Sequence, residues 1–115
     1  MRSLTQLTNF LMDELHRLKD IFYEEKSSLD KNTFFNYVQK DSKKIFDTLT
    51  EWEPAALDYV KLNKSKVTFQ QIIATKENIE LIILHSYYKD IRKRRYMEYY
   101  SSSLLVLKLL SNEIT

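Results

Sequence analysis

The chain has 115 residues with no cysteine and no glycine, and its length is typical of one domain, so we expect residues 1–115 to form a single domain. Tight hairpin turns and phosphate-binding loops normally need glycine, so its absence argues against hairpin-rich β folds and nucleotide-binding folds and favours an all-α fold. The 18 basic and 16 acidic residues give a net charge of +2, too small to indicate a polyanion partner by itself, and without cysteine there is no disulfide or thiolate metal site.

The first predicted helix begins near Ser3, because Ser3 and Gln6 have the spacing of a capping box. Leucines then recur every three or four residues as far as Phe22, and this is the pattern of a helix with one buried face. Small and polar residues from Ser27 to Asn32 interrupt the pattern and predict a turn.

The second predicted helix is capped by Asp30 or Asn32 and runs to about Leu62. Pro54 lies inside it, and a proline normally kinks or ends a helix because its ring blocks one backbone hydrogen bond. The apolar stripe nevertheless keeps its phase from Trp52 across the proline. We therefore expect one long, bent helix in preference to two short ones.

The third predicted helix opens with a second capping box, formed by Thr68 and Gln71, and the fourth is capped by Asp90. Lys76 falls on the apolar stripe of the third helix, where we expect its charge to reach solvent or to pair with Glu80. The residues expected to face the core are Phe69, Ile72, Ile79 and Ile83 on the third helix and Met97, Tyr100, Leu104, Leu107 and Ile114 on the fourth.

Four helices of about 20–30 residues with short connectors are typical of antiparallel neighbours, so we expect an all-α, four-helix antiparallel up-and-down bundle. From Leu49 onward the segments LTEWEPAALDYV, ENIELIILHSYYKD and IRKRRYMEYYSSSLLVLKLL follow one another. In this order they resemble the YppE-like family of small Firmicutes proteins, most strongly from Glu77 to Leu110. The resemblance implies a four-helix bundle and brings no activity, cofactor or substrate. Pro54 departs from the family pattern.

Residues with catalytic or metal-binding chemistry are few and scattered. A di-iron bundle needs Glu-x-x-His motifs on two helices, whereas here Asp13 precedes His16 by three residues and Ile82 precedes His85. On the helical wheel His16 flanks the core stripe and His85 points away from it. The serines Ser101–Ser103 lie in the middle of a helix and lack the strained turn of a nucleophile. We therefore expect no metal, no cofactor and no enzymatic activity.

A basic cluster is the sharpest local feature of the sequence, and tyrosines lie on both sides of it. Its members are Lys89, Arg92, Lys93, Arg94 and Arg95. Such a cluster can bind phosphates and stack on bases, but the charges encircle the helix and lie at its N-terminus, the unfavourable end for cations. With Lys93 expected on the core side, we prefer ion pairs of Arg92 and Lys93 with neighbouring helices over an anionic partner or solvated charge. The expected carboxylates are those of Asp47, Glu51 and Glu53.

Apolar residues off the predicted stripes indicate a protein-contact patch. Leu105 and Leu109 lie opposite the core residues of the fourth helix, and Leu81 and Tyr88 are placed similarly on the third. We therefore expect a small cytoplasmic protein that binds a protein partner or associates weakly with itself. The alternative is a module that binds nucleic acid or another polyanion through the basic cluster. No apolar run has the length of a membrane span or of a signal-peptide core, so no membrane association is expected.

Overall fold

The computed structural model describes residues 2–24 and 31–115, and these ranges contain four α-helices and no strand. The helices are α1 (Leu4–Tyr23), α2 (Lys31–Leu62), α3 (Phe69–Tyr88) and α4 (Lys93–Ile114). Together they form the antiparallel up-and-down bundle that the sequence predicts.

The two odd-numbered helices occupy the centre of the bundle. α1 and α3 each pack against all three other helices, whereas the backbones of α2 and α4 do not pack together in the described part of the chain. α2 and α4 meet through a hydrogen bond, which the Tyr59 hydroxyl donates to Glu113 Oε1 at 3.3 Å. The molecule measures 48 × 32 × 20 Å, and its smallest dimension is that of two helices side by side. The bundle is therefore flattened, with α2 and α4 at its two edges.

Both predicted capping boxes are present. The Ser3 hydroxyl accepts from the backbone N–H of Gln6 at 3.1 Å, and the Gln6 side chain accepts from the backbone N–H of Ser3 at 2.8 Å. Thr68 and Gln71 exchange the same two hydrogen bonds at 3.1 and 2.9 Å. Each box satisfies two backbone donors that the first turn of a helix leaves unpaired.

α2 continues through its proline, as the phase of the apolar stripe predicts. Pro54 lies on the exposed side of a helix that runs without interruption from Lys31 to Leu62. Asn32 is already inside this helix, so its prediction as a cap is wrong. The alternative cap Asp30 and most of the predicted turn lie outside the described residues.

Buried apolar side chains from all four helices form one core. Its largest member, Trp52, is fully buried and donates from its indole nitrogen to the hydroxyl of Thr8 at 3.1 Å. The buried apolar residues are Leu7, Leu11, Leu15, Leu18, Phe22, Val38, Ile45, Leu49, Trp52, Ala56, Val67, Ile72, Ile79, Ile82, Ile83, Tyr87, Tyr96, Tyr100, Val106, Leu107 and Leu110.

Some details of the last two helices differ from the prediction. Phe69 is exposed although it was expected in the core. Val106 and Leu110 are buried outside the predicted stripe, because α4 packs against both α1 and α3 and its buried face is wider than one stripe. Asp90 does not cap α4, since Arg92 is the N-cap residue and makes no side-chain capping bond.

Candidate interaction surface

α3 carries apolar side chains on the face that no other helix covers. Phe69, Ile73, Leu84 and Tyr88 are each between 44 and 48 % exposed. They run from the first residue of α3 to the last, a distance of about 28 Å at the usual rise of a helix. We call these four residues the α3 strip.

The outer face of α1 is polar, although α1 has the same place in the bundle as α3. Both helices have 20 residues, begin with a capping box and contact all three other helices. The exposed positions of α1 are Gln6, Asn9, Asp13, His16, Asp20 and its last residue, Tyr23, which is the only large apolar side chain among them. A central position in this bundle therefore does not require an apolar outer face.

The α3 strip borders α2, and the contacts between the two helices fix their register. Lys76 Nζ of α3 lies 3.6 Å from Glu53 Oε1 of α2, and the Tyr87 hydroxyl donates to Asp41. Because of this register, Phe46 of α2 lies level with Leu84. Phe46 precedes Glu53 by seven residues, about two helical turns, so both side chains lie on the same side of α2.

An exposed phenylalanine of α2, Phe46, extends the apolar surface. Phe35 is also exposed on that side of α2, but the same register places it about 9 Å beyond the last residue of α3. The neighbouring Phe34 ring meets the Tyr88 ring edge to face, with centroids 5.7 Å apart. We call the surface formed by Phe46 and the α3 strip the α2–α3 groove.

The middle of the groove is acidic. Glu77 is exposed and Glu80 is half-buried, and among the described residues neither forms an ion pair. Lys76 forms its ion pair with Glu53 of α2. The predicted Lys76–Glu80 pair is therefore wrong, because the Lys76 side chain reaches across to α2 and does not run along its own helix.

The predicted contact patch does not form one surface. Leu105 is 58 % exposed, as its position opposite the core implies, whereas Leu81 and Leu109 are half-buried. The buried hydrogen bond between Ser86 and Tyr96 fixes α3 against α4 and places Tyr88 about 16 Å from Leu105 along the axis. Tyr88 instead belongs to the α3 strip.

The predicted ion pairs of the basic cluster are wrong. Arg92 and Lys93 are both exposed, and no carboxylate of another described helix forms an ion pair with them. The register explains this, because the expected α2 carboxylates lie level with the middle of α3 and not with the start of α4. They have other partners: Asp47 pairs with Lys43, Glu51 with Arg2 and Glu53 with Lys76.

The basic side chains contact aromatic side chains, a carboxylate of their own helix and a backbone carbonyl, and all of them except the half-buried Lys89 are exposed. Lys93 Nζ lies 5.3 Å from the centroid of the Tyr23 ring, which is a cation–π distance. Arg94 Nε is 3.6 Å from Glu98 Oε1 one turn later, and Arg95 donates to the Tyr99 hydroxyl at 3.2 Å. Lys89 donates to the backbone carbonyl of Glu24. The cluster thus keeps its positive charge at one end of the bundle.

The two histidines lie apart and have different surroundings. His16 is exposed, and its Nδ1 is 2.8 Å from the Tyr100 hydroxyl. His85 is half-buried, so its predicted outward orientation is wrong. Its Nδ1 is 2.6 Å from Asp90 Oδ1, a hydrogen bond that holds the pKa of Asp90 below its usual value.

The described ranges 2–24 and 31–115 contain no group of three or more side chains placed to hold a metal ion. None of their helices is long and apolar enough to cross a membrane.

Comparison with known proteins identifies relatives of the whole bundle. The sequence profile of a bacterial domain of unknown function, DUF1798, matches residues 8–114. The uncharacterized protein YppE of Bacillus subtilis (strain 168) is 26 % identical over 114 residues, which cover 98 % of this chain and 93 % of that protein. The crystal structure of Bacillus subtilis YppE superposes with a TM-score of 0.87 over 96 % of this chain and 91 % of that one. Its solution NMR structure gives 0.79 over 99 % and 95 %, and both are 26 % identical to this chain.

Proposed function

The chain belongs to the DUF1798 family of bacterial domains of unknown function, and we propose that it is a small, cytoplasmic, non-catalytic protein-interaction module. The observation that carries this proposal is the exposed apolar surface of the α2–α3 groove. The contrast with α1 supports it, because a central helix of this bundle folds with a polar outer face. The lack of cysteine suits a reducing compartment.

The size of the groove fits a contact with another protein. A fully covered aromatic side chain buries about 150–250 Å², so five large side chains exposed by nearly half leave about 450 Å² of apolar surface. An exposed apolar patch of that size is often a functional surface on a monomer. It is smaller than the roughly 800 Å² per partner of a standard interface, so we expect a contact of moderate or transient affinity.

The decisive experiment compares two double variants. Ile73→Ser with Leu84→Ser removes the middle of the α3 strip. Leu62→Ser with Leu105→Ser removes two leucines that are more exposed but lie elsewhere: Leu62 follows Glu53 by nine residues, half a turn from the side of α2 that borders α3.

Partners retained from native cytosol by the parent chain are identified, purified and titrated against each variant by calorimetry. The groove variant is expected to lose about tenfold or more in affinity while keeping its helical circular dichroism. The control variant is expected to bind like the parent. Equal affinity of the parent and the groove variant for every purified partner would contradict the proposal.

Binding of nucleic acid or another polyanion by the basic cluster is the second candidate function. The observation that favours it is the exposure of Arg92 and Lys93, which no carboxylate of another described helix neutralises. Arg92→Ala with Lys93→Ala should then leave the melting temperature unchanged and abolish binding of a labelled RNA or DNA oligonucleotide. Binding by the parent should also weaken steeply with added salt, because phosphate contacts release counterions. Oligonucleotide binding that is absent, or the same in parent and variant, would contradict this candidate.

A further inference from the structure

The α2–α3 groove has an acidic centre between two apolar ends, and we infer that it binds a cationic amphipathic helix of another protein. The partner helix would carry apolar side chains at both ends of its contact face and a lysine or arginine between them. This inference rests on the proposed function and adds the chemical class of the partner.

The spacing of the strip favours a helical partner. Ile73 and Leu84 are separated by eleven residues, or about 16 Å, which is close to three full turns of a helix. A helix lying along the groove repeats its own contact positions at the same spacing and can meet both ends at once. Amphipathic helices lay their apolar face into hydrophobic grooves in this way.

The negative charge of the groove favours a partner with positive charge. Glu77 and Glu80 lie between the two apolar ends, and in the part of the chain that the structure describes they have no basic partner. Lys76 does not neutralise them, because it is paired with Glu53. A helix that covers these carboxylates removes water from them, and a cation opposite them offsets that cost.

The same charges argue against a second copy of this chain as the occupant. In an antiparallel two-fold arrangement of two α3 helices, Ile73 would lie opposite Leu84 of the second copy, which is a good apolar match. That register also places Glu77 opposite Glu80 of the second copy. Four carboxylates would then meet at the symmetry axis, where like charges repel.

The test uses two synthetic amphipathic peptides of about 20 residues, long enough to span α3. Both carry leucines at the spacing of the α3 strip, and they differ only in the middle, where one has lysines and the other glutamates. Binding is measured by fluorescence anisotropy. We expect the lysine peptide to bind about tenfold or more tightly than the glutamate peptide. Glu77→Lys with Glu80→Lys should reverse this preference.

A second charge-reversed variant controls for long-range attraction. Asp13→Lys with Asp20→Lys changes the net charge of the chain by the same amount on the outer face of α1, and it should keep the preference for the lysine peptide. If this control reverses the preference as the groove variant does, the inference is overturned.

The remaining outcomes separate the inference from the proposed function. If both peptides bind equally and Ile73→Ser with Leu84→Ser abolishes this binding, the cationic specificity is overturned but the contact surface is supported. Binding of neither peptide would overturn the inference, and the purified-partner titration would still decide the proposed function. If the chain self-associates and Ile73→Ser with Leu84→Ser abolishes this association, the occupant of the groove is a second copy of the chain and the inference is overturned.

Discussion

α1 and α3 are matched in almost every structural respect and differ in the chemistry of their outer faces. They have the same length, the same kind of N-terminal cap and the same number of neighbouring helices. The exposed positions of α1 are polar up to its last residue, Tyr23, whereas α3 has exposed apolar residues along its whole length. Since the fold makes the same demands on both helices, the apolar outer face of α3 points to a role outside the fold.

The inner faces should be equivalent. Leu15 of α1 and Ile79 of α3 are both fully buried. Leu15→Ala and Ile79→Ala should each lower the free energy of unfolding by about 2–5 kcal/mol, because each leaves a cavity in the shared core. Urea denaturation measures this directly. A loss below about 1 kcal/mol at either site would show that the two helices do not contribute equally to the core.

Tyr96 of α4 links α1 and α3. The direction of its hydrogen bond to Ser86 predicts that removing the two partners lowers stability by different amounts. Its ring stacks on Phe22 of α1 with centroids 3.8 Å apart, and its hydroxyl lies 2.5 Å from Ser86 Oγ of α3. Ser86 donates its only hydroxyl proton to the carbonyl of Ile82 at 2.6 Å, so Tyr96 is the donor to Ser86.

Ser86→Ala should therefore cost about 1–3 kcal/mol, because it leaves a buried donor without an acceptor. Tyr96→Phe should cost less, since Ser86 keeps its bond to Ile82. Thermal or urea unfolding compares the two variants. A larger loss for Tyr96→Phe would contradict this assignment of donor and acceptor.

The same tyrosine predicts a loss of stability at alkaline pH. Burial raises the pKa of Tyr96 to about 12, compared with about 10 for an unfolded tyrosine. The neutral hydroxyl therefore stabilises the fold fully below pH of about 10, and this contribution is lost as the pH rises towards about 12. Denaturation across that range should show a shallower decline for Tyr96→Phe than for the parent. Identical slopes would contradict the shifted pKa.

The two capping boxes should make similar contributions. Ser3→Ala and Thr68→Ala each remove one side-chain acceptor from the first turn of a helix, at an expected cost of about 1 kcal/mol. Thermal melts of the two variants should therefore nearly coincide. A loss confined to one of them would mean that the two helix starts are not equivalent.

Local sequence signals predicted much of this structure. The capping boxes depend on residues three apart, and the leucine stripe of α1 has one clear phase, so both follow from the sequence alone. The continuity of α2 through Pro54 follows in the same way from the phase of its stripe. The exposure of Leu105 also follows, because it lies opposite a run of residues that face the core.

Positions that depend on the packing of one helix against another could not be predicted in this way. α3 is apolar on several sides, so its periodicity does not say which apolar face is covered and wrongly predicts Phe69 in the core. The α3 strip was therefore only partly visible, through Tyr88. The partners of Arg92 and Lys93 depend on the register of α2 against the start of α4, which no spacing within one helix contains.

Urea unfolding of a variant whose α3 has a polar outer face distinguishes a contact surface from a part of the core. In Ile73→Gln with Leu84→Gln, α3 acquires in the middle of its strip the polar character that α1 already has. If the strip is a contact surface and not part of the core, urea unfolding of this variant should lose about 1 kcal/mol or less relative to the parent. A loss of about 4 kcal/mol or more, the size expected for two core substitutions, would mean that the bundle itself needs the apolar outer face of α3.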